Sequence, residues 1–190
     1  MRVISGQARG TKLFEPANNN IRPTTDRIKE TLFNIINFYI EGANVLDLYS
    51  GSGALGIECL SRGATHCTFV EKEKEHCKLI EKNLEKTKFF SDRFIVLNKS
   101  IGQKVGFPTI ENNTYDIILM DPPYNMSLEN ETIEFIYKKN ILKERGIIVI
   151  EHSSSTKLNL PEGFTSLKEK NFKTTTITIL QKNENSNISR

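Results

Sequence analysis

Asp116-Ile117-Ile118-Leu119-Met120-Asp121-Pro122-Pro123-Tyr124 is the stretch on which the reading turns. Ile117 to Met120 run without a polar break and then meet a carboxylate, two prolines and an aromatic ring. Such a run suits a strand buried on both faces, as in a parallel sheet. Proline cannot continue the hydrogen-bond ladder, so the strand ends at Asp121. Asp121 and Pro122 each precede a proline, which holds both in extended geometry and fixes where their carbonyls point. Ligands of open α/β sheets gather at the carboxyl ends of strands. A rigid set of acceptors beside the Tyr124 ring suits a planar group bearing an NH2. Alone, Asp-Pro-Pro reads better as a tight turn; a second motif upstream changes the balance.

That motif is Asp47-Leu48-Tyr49-Ser50-Gly51-Ser52-Gly53-Ala54-Leu55-Gly56, which lies between a predicted strand and a predicted helix. Gly51, Gly53 and Gly56 satisfy the G-x-G-x-x-G spacing, and Glu71 follows Gly51 at the end of the next strand. Both a nicotinamide dinucleotide and S-adenosylmethionine fit this pattern, because both carry ribose hydroxyls for Glu71 to accept. Asp47 separates them. A dinucleotide sets its pyrophosphate on the helix N-terminus, where a carboxylate would repel it. S-adenosylmethionine brings an ammonium and a sulfonium, which a carboxylate attracts. With the Asp121 motif added, the methyl donor is the better reading.

Around these motifs the chain reads as alternating strands and helices. Strands are predicted at Val45–Tyr49, Thr68–Glu71, Phe94–Leu97, Tyr115–Asp121 and Gly146–Glu151. Helices are predicted from Thr24 or Thr25 to near Gly42, at Ala54–Arg62, over residues 73–88 and at Glu129–Asn140, with residues 100–114 a helix and loop. Thr165–Lys170 and Thr174–Leu180 read as an antiparallel pair. The whole is a twisted, mostly parallel sheet with helices on both faces. In the first helix Ile28, Leu32, Ile35, Ile36 and Tyr39 recur on one face, the face expected to pack inward. Residues 1–20 read as a β-hairpin extension and linker, 21–182 as the main domain and 183–190 as a disordered tail. The hairpin has few apolar residues, so it is expected to stand away from the sheet.

Composition narrows the classes. The chain has 190 residues and a net charge of +3, which fits one domain with a small appendage. No apolar run is long enough to span a membrane. Cys59, Cys67 and Cys77 form no C-x-x-C pair, and His66, His76 and His152 show no metal spacing, so a cytoplasmic protein without a metal is expected. The basic excess sits at the front, where Arg2, Arg9 and Lys12 flank or occupy a glycine-bounded loop that can approach a phosphate backbone.

The opening segments make the chain recognisable. Arg2-Val3-Ile4-Ser5-Gly6-Gln7-Ala8-Arg9-Gly10-Thr11-Lys12-Leu13 and Arg22-Pro23-Thr24-Thr25-Asp26-Arg27-Ile28-Lys29-Glu30-Thr31-Leu32-Phe33-Asn34, with the two motifs above, resemble the bacterial 16S ribosomal RNA guanine-N2 methyltransferase family of the small subunit (guanine-966 type). The resemblance runs from residue 2 to about residue 180. It implies a Rossmann-like seven-stranded sheet, S-adenosylmethionine as methyl donor, and a guanine of 16S rRNA in the 30S subunit or an assembly intermediate as acceptor, with the protein acting as a monomer. Carried over by position, Asp47, Tyr49, Ser50, Gly51 and Gly53 line the methionine side and Glu71 the ribose. Arg22, Thr24 and Thr25 match the segment that closes over the cofactor. Asp121 and Pro122 hold the amine, with Tyr124 against the base. After the third strand the family commonly has an Asp or Asn for the adenine; here the stretch is Asn98-Lys99-Ser100-Ile101, so Ser100 is the replacement. The four-residue catalytic motif alone is shared with adenine-N6 enzymes acting on DNA. A dehydrogenase and a non-catalytic RNA-binding protein are the remaining alternatives.

Overall fold

A computed structural model describes residues 1–16, 26–101, 115–123 and 128–183. The expected helix and loop at 100–114, the linker, Arg22, Thr24, Thr25, Tyr124 and the tail beyond Asn183 therefore lie outside the described residues, apart from Ser100 and Ile101. In chain order the elements are α1 (Asp26–Ile40), β1 (Asn44–Leu48), α2 (Ala54–Ser61), β2 (His66–Glu71), α3 (Lys74–Thr87), β3 (Phe94–Asn98), β4 (Tyr115–Met120), α4 (Leu128–Lys139), β5 (Leu142–Ser153), β6 (Phe164–Asn171) and β7 (Thr175–Lys182). One seven-stranded sheet has the order β3-β2-β1-β4-β5-β7-β6. β1 to β5 pair in parallel and β7 is antiparallel to both β5 and β6. The order reverses beside β1, so β1 and β4 flank the crevice in which ligands of such sheets bind.

β1 and β4 are central and almost wholly buried, as their unbroken apolar sequences require. Alternation sends Val45, Phe69, Ile117, Leu119, Ile147 and Val149 into one core with α1, α2 and α3. Leu46, Leu48, Val70, Ile118, Met120, Ile148 and Ile150 form the other core with α4. β5 begins four residues earlier than expected. Its first residues are charged, and the ladder with β4 is irregular between Tyr115 and Ile117, so hydrophobic pattern alone misses that start. β6 is an edge strand with most of its side chains exposed, and its pairing shifts between Ser166 and Lys168.

The inward face of α1 is rotated from the expected one. Lys29, Leu32, Phe33, Ile36 and Ile40 are buried, while Tyr39 is 37% exposed. A lysine in the stripe disguised it: Lys29 is drawn inward by Glu58 of α2, 3.1 Å away, and both side chains are fully buried.

The N-terminal segment also departs from expectation. It folds back through a single bridge, Arg2 to Lys12, but it does not stand away from the body. Val3, Ala8 and Leu13 belong to the core. Ile4 and Ser5 donate their N–H groups to the two oxygens of Glu58, at 2.8 and 3.0 Å. Gln7 donates to the Ser61 carbonyl and Ala8 to the Ser61 hydroxyl. Asn83 of α3 exchanges two hydrogen bonds with the Phe14 backbone. Gly6, at one end of the loop expected to approach a phosphate backbone, faces the end of α2, where a Cβ would lie 1.7 Å from the Ser61 carbonyl oxygen. Few apolar residues sufficed because the polar backbone is bonded so completely.

Gly6 and Gly10 both have positive φ, at 80° and 84°, but space around Gly10 is open. Gly10→Ala should therefore cost only the conformational term, roughly 1–2 kcal/mol. Gly6→Ala must also push the segment off α2, at about 3 kcal/mol or more, which lowers the melting temperature by roughly 6–12 °C for a chain of this length. Thermal denaturation followed by circular dichroism compares the two; equal melting temperatures would contradict the docking.

Candidate active site

The carboxyl ends of four neighbouring strands each carry an acid. In spatial order these are Glu71 of β2, Asp47 of β1, Asp121 just after β4, and Glu151 of β5. Their positions continue the alternation of Phe69, Val45, Leu119 and Val149, so they share the face covered by α1 to α3. Among the described residues no group of three or more His, Cys, Asp or Glu side chains is arranged to hold a metal ion.

The glycine loop joins β1 to α2. Tyr49, Gly51 and Gly53 all have positive φ, at 60°, 55° and 77°. Tyr49 is the strained member, since a non-glycine residue is held left-handed. Its ring packs on the α4-side core, and its hydroxyl lies 2.7 Å from Thr132 Oγ1. Thr132 donates its proton to the Leu128 carbonyl, so Tyr49 is the donor in that pair. Burial pushes the Tyr49 phenol up to about 12 despite this bond. Tyr49, expected on the methionine side, thus ties the loop to α4 at Thr132. The Ser50 hydroxyl is likewise engaged within the protein: it donates to the Asp47 carbonyl at 2.6 Å and accepts from the Val70 N–H of β2 at 3.0 Å.

Both acids beside the loop hold its backbone. Glu71 accepts from the Gly51 N–H at 2.8 Å through Oε2, and from the Glu73 N–H at 2.9 Å through Oε1. Asp47 Oδ2 accepts from the Gly56 N–H at 3.0 Å. Gly56 has to be glycine, because a Cβ there would meet Phe69 at 2.4 Å, Cys67 at 2.7 Å and Asp47 at 2.9 Å. Asp47 is 2% exposed. Burial drives its carboxyl up to about 8; the Gly56 bond opposes the shift and the Glu71 charge adds to it.

Asp121 is half-buried and Pro122 is buried. Burial, then the charges of Glu151 and Asp47, hold the Asp121 carboxyl well above the ordinary carboxylate range. Ser100 is half-buried just beyond β3. Next to it Asn98 donates to the carbonyls of Glu71 and Lys72, at 3.1 and 2.8 Å, which braces the end of β2. On the same side Asn130 of α4 holds the loop after β5 through the Lys157 carbonyl and the Asn159 N–H. Arg2, Arg9 and Lys12 are exposed, Arg2 lying 3.4 Å from Asp26.

The structure therefore brings Asp47, Tyr49, Ser50, Gly51, Gly53, Glu71 and Asp121 together and leaves Arg2, Arg9 and Lys12 on the N-terminal segment. Sequence reasoning missed Glu151, Asn98 and Asn83. Glu151 carried a signal: it closes the apolar strand Ile147–Ile150 as Asp121 closes Ile117–Met120. Asn83 carried none, since its work is to join the Phe14 backbone to the Ser52 carbonyl.

The chain is similar to known proteins over most of its length. The family model described as "Conserved hypothetical protein 95" matches residues 1–181. The Haemophilus influenzae protein named "Ribosomal RNA small subunit methyltransferase D" is 38% identical over 170 residues, covering 90% of this chain and 88% of the relative. A Buchnera aphidicola protein of the same name is 35% identical over 168 residues, 88% of this chain and 86% of the relative. The solved structure named "Putative methyltransferase yhhF from Escherichia coli" superposes with a TM-score of 0.83 at 32% identity, over 96% of this chain and 98% of that one.

The raised Asp47 carboxyl fixes the sign of a pH effect. Below about pH 4 the group is protonated in both folded and unfolded chains. Between the unfolded value and about 8 the unfolded chain has released its proton while the folded chain retains it, so this group's contribution to stability falls as pH rises. Asp47→Asn keeps an oxygen for the Gly56 N–H and removes the buried charge. The ligand-free variant should melt above the wild type at pH 8 and with it at pH 4, by differential scanning calorimetry. A lower melting temperature at pH 8 would contradict the burial argument.

Proposed function

The chain belongs to the family described as "Conserved hypothetical protein 95", and from that premise we propose that it transfers a methyl group from S-adenosylmethionine to the exocyclic N2 amine of a guanine in 16S ribosomal RNA (guanine-966 type). The observation that carries the cofactor is the buried Asp47 at the glycine loop. Burial keeps the free Asp47 carboxyl protonated, and a cation beside it favours the ionised form, so the methionine ammonium would draw that proton off and pair with the carboxylate. The same site is hostile to a pyrophosphate: Glu71 and Asp47 already accept from the Gly51 and Gly56 amides, two N–H groups a dinucleotide would need. The relatives named as ribosomal RNA methyltransferases support an RNA acceptor.

In this reading Asp47, Ser50, Gly51, Gly53 and Tyr49 shape the methionine side. Glu71 serves the ribose and Ser100 the adenine, while Arg22, Thr24 and Thr25 close over the cofactor. The guanine N2 lone pair is delocalised into the ring, so the free amine is a weak nucleophile. The Asp121 carboxylate and the Pro122 carbonyl each accept one of its N–H bonds, which favours a tetrahedral nitrogen with its lone pair aimed at the sulfonium methyl. The gain comes from alignment of the two reactants and from acceptors directed at charge that grows on nitrogen. Tyr124 stacks on the extruded base, an interaction worth roughly 1–3 kcal/mol. Arg2, Arg9 and Lys12 contact phosphates, which positions the RNA without reading its sequence. The protein acts in the cytoplasm as a monomer on the 30S subunit or an assembly intermediate.

Labelled S-adenosylmethionine supplied with naked 16S RNA, 30S particles or DNA, followed by mass spectrometry of the nucleosides, tests the proposal. N2-methylguanosine from the ribosomal RNA is the expected product; N6-methyladenine, or no product with any substrate, would overturn it. Asp121→Ala should lower turnover by about a hundredfold or more while changing cofactor affinity far less. Arg9→Ala with Lys12→Ala should weaken RNA binding and flatten its log–log salt dependence by up to about two units. Filter binding across a salt series measures this, and a wild-type slope would remove both residues from the interface.

A further inference from the structure

A cleft of about 410 Å³ lies away from the glycine loop, within the size range of small-ligand sites. His152 of β5 and Thr178 and Leu180 of β7 form its floor, and all three are buried. One wall is the loop after β5, with Lys157 and Leu158; the other is the edge strand β6, with Ser166 and Glu169. We propose that this cleft is a second base-binding subsite. It takes an unpaired nucleotide neighbouring the target guanine in the same RNA, and the Glu169 carboxylate accepts from the exocyclic amino group of its base.

Glu169 reaches the cleft because β6 is irregular. Ser166 pairs with Leu180, but Lys168 rather than Leu167 pairs with Ile179, and Glu169 then falls opposite Thr178. Residues directly opposite share a sheet face. In regular pairing Lys168 would stand opposite Thr178, and an ammonium would face the cleft. The extra residue, Leu167, exchanges that ammonium for a carboxylate. Bulges re-aim side chains in this way, and they concentrate beside active sites.

The rest of the cleft is held in shape. Asn130, in the first turn of α4, donates to the Lys157 carbonyl at 3.1 Å and accepts from the Asn159 N–H at 2.7 Å, which pins the loop wall. On the floor, His152 Nδ1 lies 2.9 Å from the Ser153 carbonyl and Nε2 lies 2.9 Å from the Thr178 hydroxyl. Both ring nitrogens are engaged, so His152 gives the floor its form and recognition falls to the walls.

The chemistry of the walls selects the occupant. A carboxylate accepts and does not donate. It therefore favours a base edge that bears an amino group, as acidic side chains do with cytosine, and it repels a phosphate. Leu158 offers an apolar surface to the ring, and Lys157 on the same wall suits the phosphate of the same nucleotide. The position fits as well. Met120 of β4 pairs with Ile150 of β5, and Pro122 and His152 each stand two residues further on. The floor thus begins level with the carbonyl that holds the guanine amine in the reading above. It lies one to two strand spacings to the side, about 5–10 Å, within reach of an adjoining nucleotide. The RNA in this inference rests on the methyl-transfer reading; the base preference of the cleft does not.

Cytidine and uridine monophosphate test the acceptor, because they differ at the amino group. In the wild type, backbone NMR signals of Ser166, Glu169 and Thr178 should shift with the cytidine nucleotide, and the uridine nucleotide should bind roughly fivefold more weakly. Glu169→Gln, at an exposed edge position where substitution is well tolerated, should abolish the preference, since an amide both donates and accepts. Equal binding of the two nucleotides by the wild type, or no shift in the cleft with either, would overturn the proposal. Filter binding of 16S RNA, which needs no turnover, decides whether the occupant belongs to the substrate. Glu169→Gln should weaken it by roughly fivefold, although loss of a negative charge alone would tighten it. Unchanged or tighter binding would overturn the RNA subsite. Wild-type protein that shows the cytidine preference and the Glu169→Gln loss, yet methylates no RNA, would uphold the subsite and count against the proposed function alone.

Discussion

Glu58 is the constraint on which the rest of this molecule depends. It sits on α2, fully buried, in an interior that penalises an isolated charge severely. Four donors converge on its two oxygens: the backbone N–H groups of Ile4 and Ser5, the Lys29 ammonium and the Arg62 guanidinium. Burial pulls the Lys29 ammonium down in pKa, and Glu58 opposes that pull. Lys29 also donates to the Arg2 carbonyl, which closes a ring of contacts through the N-terminal segment, α1 and α2. Loss of any one member leaves a buried polar group without its partner, which is why such pairs are far more damaging to break than valuable to possess. α2 is the helix that carries Gly56 over Asp47, so the same clamp sets the geometry of the glycine loop.

The reactive edge uses the opposite electrostatic arrangement. Glu58 is saturated, whereas among the described residues Asp47 has a single backbone donor, and the charges of Glu151 and Asp47 oppose that of Asp121. Perturbed acids of this kind, gathered in one cleft, mark functional sites with some reliability. The Tyr49 hydroxyl links the glycine loop at this edge to Thr132 of α4.

Sheet and loop were legible because each rests on a local rule. An apolar run ended by prolines makes a strand with a fixed end, and a glycine pattern between strand and helix makes a ligand loop. Asp47, Glu71 and Asp121 were found because they terminate strands at predictable points. The hidden parts depend on partners distant in sequence. Lys29 looked like a surface residue because Glu58 is its reason for being inside. The N-terminal segment looked detachable because its anchors are main-chain groups, whose bonding no side-chain pattern announces. Ser50 and Tyr49 were placed in the right loop, but their hydroxyls bond within the protein, which only the fold could reveal.

The outermost strand has a consequence of a different kind. β6 ends the sheet with its side chains in solvent and with a shift in pairing between Ser166 and Lys168. An open edge is a template for another strand, and natural proteins blunt it with lysines and irregular register. Lys168, Glu169 and Lys170 stand at that break. An extended chain approaching this side would meet charged side chains and a ladder out of step. The sheet therefore resists growth at β6, a protection against aggregation in surroundings crowded with half-folded polypeptides.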